Sequence, residues 1–173
     1  MPTPFPHRHV TSVTRTLPSR VRIQSDAMKP LEAGPSRQYD GDATTWSAEQ
    51  LLLSSIATCL LTTFEALAAR DKIEIHAWKT NASGIVERSA EGLQFTSIVL
   101  SVDMAIGGNT KVVEQTLEDA RRLSLVLTSL RVPVVFETQI TTVDGAELRN
   151  SCTTLSVIDD WYPLVEEPIL AAC

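Results

Sequence analysis

The chain has 173 residues, 43% of them hydrophobic, which is enough for one buried core and too few for two full domains. Its 21 acidic and 15 basic side chains give a formal net charge of −6, so we expect no nucleic-acid partner. The longest uninterrupted apolar run, residues 169–173, is far too short to cross a bilayer, which predicts no membrane-spanning helix and no membrane partner. Prolines and histidines near the N-terminus replace the apolar stretch of a secretion signal, so we expect a cytoplasmic protein.

The cysteines set limits on sulfur chemistry. There are three, Cys59, Cys152 and Cys173, and none forms a CxxC pair. An odd and widely spaced set argues against a disulfide framework and against a zinc site. We therefore expect no metal and no cofactor, and any sulfur chemistry must come from individual thiols.

The N-terminal part of the domain is predicted to form strands. Residues 1–8 are rich in proline and read as a flexible lead-in. Two β-leaning stretches, 9–16 and 20–25, follow on either side of a break at Pro18, which suits a hairpin. Proline, glycine and aspartate then dominate residues 26–45, which predicts a loop.

The strongest predicted helix begins at Ser47, where Gln50 can complete a capping box. Apolar side chains recur at helical spacing up to Arg70 and Asp71, namely at Leu53, Ile56, Ala57, Leu60, Phe64, Leu67 and Ala68. Such a helix is roughly 36 Å long. In a domain of this size it is expected to run through the middle.

The rest of the domain alternates strand and helix. Residues 73–82 predict a strand that continues through 84–92 to a turn, and 94–104 predict its partner. After Gly107 and Gly108 a second helix extends to Leu127, with Ser124 in its apolar seam, and residues 132–143 form the last strand. This order predicts an α+β fold with mainly antiparallel pairing, over residues 9–143. Residues 144–173 form a C-terminal extension.

Two residues of the first helix stand out chemically. Cys59 falls on the margin of the apolar stripe, where a small substrate could reach it, although a lone cysteine there can also be a small buried hydrophobe. Glu49 falls on the face that should be buried, so it needs a partner unless the helix dipole alone stabilises it. The two lie ten residues apart, or roughly 15 Å along a straight helix. A common site would require a second copy of the helix or a kink.

The thiol pKa of Cys59 raises a separate question. The residue lies about three turns inside the helix, beyond the reach of the helix dipole. We therefore expect a cation to activate it, from Arg15, Arg20 or Arg22 of the N-terminal hairpin, with Arg20 favoured. Each arginine can also be an ordinary solvated side chain. Ser124 is interpreted as a small residue that lets helices approach closely, since no His and Asp pair would activate it as a nucleophile.

Three ordered motifs of the sequence resemble those of one known family. The segment Trp46-Ser-Ala-Glu-Gln-Leu-Leu-Leu-Ser-Ser-Ile-Ala-Thr-Cys59 is similar to W-S-P-E-E-L-L-L-A-A-L-A-S-C, a signature of the OsmC/Ohr family of thiol-dependent peroxidases that reduce organic hydroperoxides. Gly84-Ile-Val-Glu-Arg88 with Phe95-Thr-Ser-Ile98 resembles its G-x-x-x-R and F-T-x-I strand pair. Residues 120–134 resemble the helix and strand that read A-x-x-x-C-x-V-S-N-S-L-x-x-P-V. Together the motifs span about residues 9–143.

The resemblance implies a particular assembly and chemistry. It implies an intertwined homodimer with the long helices central and the active site between subunits, which would bring Glu49 close to a Cys59. Cys59 matches the peroxidatic cysteine, and Glu49 matches a glutamate that pairs with an arginine. The implied reaction consumes an organic hydroperoxide and an external thiol reductant.

One position departs from the family pattern in a way that affects the reaction. Ser124 stands where the family has its second, resolving cysteine, and a hydroxyl cannot condense with a sulfenic acid to form a disulfide. The first hypothesis is therefore a one-cysteine peroxidase. The alternative is a non-catalytic binding protein that holds an apolar small molecule at the dimer interface. In a third hypothesis Cys152 or Cys173 replaces the resolving thiol.

Overall fold

The structure, a computed structural model, describes residues 5–90 and 92–143. The elements in chain order are β1 (Ser12–Leu17), β2 (Arg20–Gln24), β3 (Leu31–Gly34), β4 (Trp46–Ser47), α1 (Ala48–Asp71), β5 (Glu74–Ser89), β6 (Gly92–Gly107), α2 (Thr110–Leu123), α3 (Leu125–Ser129) and β7 (Val134–Thr142). The predicted C-terminal extension, with Cys152 and Cys173, lies outside the described residues.

Helix α1 confirms the prediction made from its caps and period. The Ser47 hydroxyl accepts a hydrogen bond from the Gln50 N–H, and the Gln50 side chain accepts one from the Ser47 N–H, which closes the capping box. The helix runs for 24 residues and ends at Asp71, where Lys72 adopts a left-handed conformation. It is continuous, so no kink shortens the path between Glu49 and Cys59.

The core lies between one face of α1, the long strand β6 and helix α2. The fully buried residues of α1 repeat every four positions, at Ile56, Leu60, Phe64 and Ala68. They pack against the alternating residues of β6 and the inner face of α2, which are Ile98, Leu100, Val102, Met104, Ile106, Val113, Leu117 and Ala120. The apolar faces of α1, β6 and α2 thus pack against one another in a single core.

The strands form two sheets, in the orders β1-β2-β3-β4 and β5-β6-β7. Pairing is antiparallel for β1 with β2, β2 with β3 and β5 with β6, which confirms the mainly antiparallel fold. Strand β7 instead pairs parallel with β6, because α2 and α3 form the crossover between them. The loop predicted over residues 26–45 is partly wrong, since β3 lies within it and extends the first hairpin.

The second predicted helix is interrupted at Ser124. Its N-cap is Asn109, whose side chain accepts a hydrogen bond from the Lys111 N–H. Ser124 has an extended backbone with φ of −66° and ψ of 111°, so α2 ends there and α3 begins at the next residue. The apolar spacing passes smoothly through this break, which is why periodicity alone predicted one helix.

The described residues leave a large part of the apolar surface uncovered. By length and composition alone, helix α1 is long and apolar enough to cross a bilayer. The search for uninterrupted apolar runs in the sequence did not find it, because Ser and Thr residues interrupt its apolar residues. In this fold α1 packs on β5, α2 and α3. Only 22% of its most apolar window is buried, however. All six residues of β1 are exposed, among them Val13 and Leu17.

Candidate functional site

The thiol of Cys59 lies where α1 meets the junction between α2 and α3. Cys59 is half-buried, in agreement with its predicted place on the margin of the apolar stripe. Its Sγ accepts a hydrogen bond from the backbone N–H of Val126, with the two atoms 3.5 Å apart. The first N–H groups of a helix have no partner within that helix, and here the sulfur accepts one of them.

Ser124, at the same junction, is fully buried. Its backbone is fixed on both sides, because its N–H donates to the Ala120 carbonyl at 2.9 Å and its own carbonyl accepts from the Thr128 N–H at 3.0 Å. Within residues 5–90 and 92–143 its Oγ makes no hydrogen bond of ordinary geometry. It nevertheless lies near enough to the Cys59 sulfur to influence its ionisation.

Neutral hydrogen-bond donors determine how readily the thiol ionises. Burial alone raises the pKa of Cys59. The Ser124 hydroxyl and the Val126 N–H oppose this most strongly, followed by the Thr63 hydroxyl and the Leu125 N–H, and the net pKa is lowered. The Thr63 hydroxyl also donates to the Cys59 carbonyl at 2.7 Å, so we regard Ser124 and Val126 as the donors that matter to the sulfur.

This arrangement corrects one expectation from the sequence. A cation was thought necessary to lower the thiol pKa, with Arg20 favoured over Arg15 and Arg22. Arg20 instead pairs with Asp42 at 2.6 Å, and Arg22 pairs with Glu32 at 3.0 Å. The pKa of Cys59 is lowered without either of them, so the requirement for a cation is wrong for the chain by itself.

Glu49 lies in the first turn of α1 and is half-buried. Among the described residues no arginine, lysine or histidine forms an ion pair with its carboxylate. Because α1 is continuous, Glu49 remains roughly 15 Å along the helix from Cys59 of the same chain. The structure of one chain therefore does not bring the two predicted site residues together.

A groove of about 500 Å³ lies between the N-terminal sheet and the start of α1. Its walls are largely apolar and include Val13, Leu17, Val21, Ile23 and Leu51, together with Arg15 and Arg20. Ala48 and Leu51, which also line it, flank Glu49 on α1. Arg15, Arg20 and the helical turn that carries Glu49 thus border one groove.

Sequence reasoning missed the donors at the α2–α3 junction. It examined only the terminus of α1 and the charged residues as sources of stabilisation for a thiolate. A signal was present, because Ser124 interrupts an otherwise apolar helical seam and serine is a preferred residue at helix starts. If Ser124 is interpreted as a helix boundary, the N–H groups of the next two residues are predicted to have no partner within the helix that follows.

Solved structures with similar architecture define the class of fold. An OsmC-like protein of unknown function from Vibrio cholerae superposes with a TM-score of 0.70 at 17% identity, covering 77% of this chain and 99% of its own. An organic hydroperoxide resistance protein OsmC from Legionella pneumophila gives 0.63 at 15%, covering 78% and 97%. The organic hydroperoxide resistance protein OhrB of Bacillus subtilis gives 0.59 at 16%, covering 77% and 98%. At these identities the likeness shows an OsmC-type fold and no more.

The family of the chain is established by a match to a family sequence model. A family model described as OsmC-like protein matches residues 41–139, which is more than half of the chain. The chain therefore belongs to the OsmC-like family, as the three motifs predicted. Sequence comparison with curated proteins finds no match.

Proposed function

We propose that this chain is a thiol-dependent peroxidase that reduces organic hydroperoxides through Cys59 in a one-cysteine cycle. The observation that carries the proposal is the half-buried thiol of Cys59, whose pKa is lowered by hydrogen-bond donors at the α2–α3 junction. A thiolate is the nucleophilic form of cysteine, so a lowered pKa makes more of it available near neutral pH. Membership of the OsmC-like family and the likeness to two organic hydroperoxide resistance proteins support the same chemistry.

The cycle balances without a cofactor. The Cys59 thiolate attacks the terminal oxygen of ROOH, an S–O bond forms as the O–O bond breaks, and the departing alkoxide takes up a proton to give ROH. The sulfur is oxidised by two electrons to a sulfenic acid. An external thiol then condenses with it, releasing water and forming a mixed disulfide. A second external thiol restores Cys59 and leaves as the external disulfide.

The surface of the α2–α3 junction carries apolar side chains that suit an organic substrate. Leu123 and Leu125, on either side of Ser124, are 63% and 65% exposed. Apolar side chains at this junction would bury the alkyl part of a bound hydroperoxide, a gain that hydrogen peroxide cannot provide. A reducing cytoplasm would supply the external thiol.

A homodimer would complete the site. Helix α1 and strand β1 leave apolar surface exposed, and a second copy of the chain is the proposed cover. In an intertwined dimer the groove with Arg15 and Arg20 of one subunit, together with the adjacent Glu49, would face Cys59 of the other. Glu49 would then hold an arginine beside the reacting sulfur. Of the hairpin arginines lining the groove, Arg15 has no ion pair among the described residues, whereas Arg20 is paired with Asp42.

The groove also supports a second candidate function. Its volume of about 500 Å³ and its apolar walls are suited to a small apolar molecule, so a non-catalytic binding protein would need no change in the fold. In that case Cys59 would only be packed. The two candidates differ in whether peroxide is consumed.

Hydroperoxide consumption is the test of the proposed function. Wild type, Cys59→Ser and the Cys152→Ser/Cys173→Ser double variant are incubated with tert-butyl hydroperoxide and excess dithiothreitol, and residual peroxide is measured. Consumption by wild type and by the double variant, and its loss in Cys59→Ser, are expected. Loss in the double variant would show that a C-terminal thiol resolves the cycle. No consumption by wild type would favour the binding protein.

A further inference from the structure

Ser124 is fixed at the α2–α3 junction through its backbone, and its side chain is buried there. It ends α2 and precedes α3, its backbone N–H and carbonyl are both hydrogen-bonded, and its side chain is fully buried. Its hydroxyl does not cap α3, since it makes no hydrogen bond to that helix. The local structure of the junction therefore does not require a hydroxyl at this position.

A buried hydroxyl without a hydrogen-bond partner is unfavourable, because it has lost its hydrogen bonds to water. Alanine would pack at this junction without that penalty, so the hydroxyl calls for another explanation. The Cys59 sulfur lies within reach of this hydroxyl and can use a donor, and it already accepts the Val126 N–H at 3.5 Å. A thiolate accepts hydrogen bonds much more strongly than a neutral thiol, because the bond is then charge-assisted.

We propose that Ser124 is a positioning residue whose hydroxyl donates a hydrogen bond to the charged sulfur of Cys59, and afterwards to the sulfenate that replaces it. The inference rests on the proposed function and deepens it. Among the described residues, the hydroxyl of the resting protein has no hydrogen-bond partner of ordinary geometry, and ionisation of Cys59 supplies one. Ser124 and the Val126 N–H then hold the sulfur from the same junction.

This role has a consequence for the second half of the cycle. A cysteine at position 124 would condense with the sulfenic acid, release water and form an internal disulfide. The Ser124 hydroxyl can only hydrogen-bond to the oxidised sulfur, so the oxidised state persists until an external thiol attacks it. The same side chain thus favours ionisation of Cys59 and leaves its oxidised form to an outside reductant.

Alkylation tests the inference without any peroxide. All variants are made in the Cys152→Ser/Cys173→Ser background, so that Cys59 is the only thiol, and the rate of reaction with iodoacetamide is measured against pH. Ser124→Ala removes the hydroxyl, and Ser124→Thr retains it. Thr116→Val is the matched control, because Thr116 is equally buried in α2 but donates to Asp71 and to the Val112 carbonyl. Thermal melts confirm that each variant is folded.

The expected result is a higher midpoint pH and a several-fold slower reaction at neutral pH for Ser124→Ala alone. Ser124→Thr and Thr116→Val should keep the parental midpoint. The midpoint is decisive, because the limiting rate at high pH also depends on intrinsic nucleophilicity. An unchanged midpoint in Ser124→Ala, or an equal shift in Thr116→Val, would overturn the inference.

The two proposals fail separately. If Ser124→Ala raises the midpoint but wild type never reacts with hydroperoxide, the proposed function is wrong and the hydrogen bond stands. If Cys59 is oxidised by hydroperoxide while Ser124→Ala leaves the midpoint unchanged, the function stands and the inference about Ser124 is wrong.

Discussion

At the scale of single residues, the ionisation of the Cys59 thiol depends on the α2–α3 junction, where the N–H that donates to its sulfur lies 67 residues further along the chain. The break at Ser124 exposes the N–H groups of Leu125 and Val126, and the packing of α3 on α1 directs them at the sulfur. Neutral donors fixed by the fold stabilise a charge without having to reorganise when it forms. The reactivity of the thiol is therefore built into the backbone as well as into side chains.

Glu49 gives the residue-scale prediction. If its carboxylate holds an arginine beside the reacting sulfur across the dimer, Glu49→Gln should slow peroxide consumption by about tenfold or more, since about 1.4 kcal/mol of transition-state stabilisation is tenfold in rate. Steady-state assays with tert-butyl hydroperoxide measure this. Glu65→Gln is the control, because Glu65 is an exposed carboxylate on the same helix. Equal rates for the two variants would show that Glu49 does not take part in the reaction.

At the scale of elements, Asp71 ties the end of α1 to α2. Its carboxylate accepts two hydrogen bonds from Arg70, at 2.7 and 2.8 Å, and one from the Thr116 hydroxyl at 2.9 Å. The hydrogen bonds from Arg70 and then from Thr116 lower the pKa of Asp71 to about 2. A carboxyl whose pKa is lower in the folded state stabilises that state above its ordinary value of 3.8, and loses this effect as pH falls towards 2.

The resulting prediction concerns acid stability. Asp71→Asn should lower the melting temperature at neutral pH, and the gap from wild type should narrow as pH falls below 3.8 towards 2. Melting curves recorded across that range measure it. Asp103→Asn on β6 is the control, since no ion pair or hydrogen bond of its carboxylate is found among the described residues. A gap that stays constant with pH would mean that ionisation of Asp71 is not involved.

Gly84 gives a second prediction for the elements. A Cβ at this position of β5 would lie 2.6 Å from the Phe95 ring on β6, closer than atoms can approach, and 3.4 Å from Leu53 of α1. Gly84→Ala should therefore destabilise the fold by about 1–3 kcal/mol, because Phe95 must move. Ser83→Ala, at the exposed neighbouring position, should change little. Urea unfolding of both variants measures the difference, and equal stabilities would contradict the packing described here.

The elements also show what could be predicted from sequence. The capping box and period of α1 and the alternation in β6 were predicted, because both patterns are local and are set by the side of the chain that is buried. Strand β3 was missed because its four residues lie among proline and glycine, and its pairing with β2 is a tertiary contact. The break at Ser124 was missed because it leaves the apolar spacing intact. Cys59 and Glu49 were singled out from their helical faces, but the donors to Cys59 come from a distant turn.

At the scale of the whole molecule, the uncovered apolar surface gives a prediction about assembly. Val13 and Leu17 of β1 are 62% and 59% exposed beside the groove. If a second copy covers them, light scattering of the wild type at micromolar concentration should show a dimer, and Val13→Glu with Leu17→Glu should give monomers. Val112→Glu, at an exposed apolar position on α2, is the matched control and should remain dimeric. A wild-type monomer would remove the shared site.

The central claim is that Cys59 is the thiol that reacts with hydroperoxide, and intact mass tests it most directly. The reduced Cys152→Ser/Cys173→Ser variant is treated with an equimolar amount of tert-butyl hydroperoxide and measured with and without the further change Cys59→Ser. We predict a product one oxygen atom heavier, trapped by dimedone, that is absent when Cys59 is replaced. A thiol that stays unmodified even when the hydroperoxide is raised to an excess, or the same oxidation without Cys59, would contradict the account.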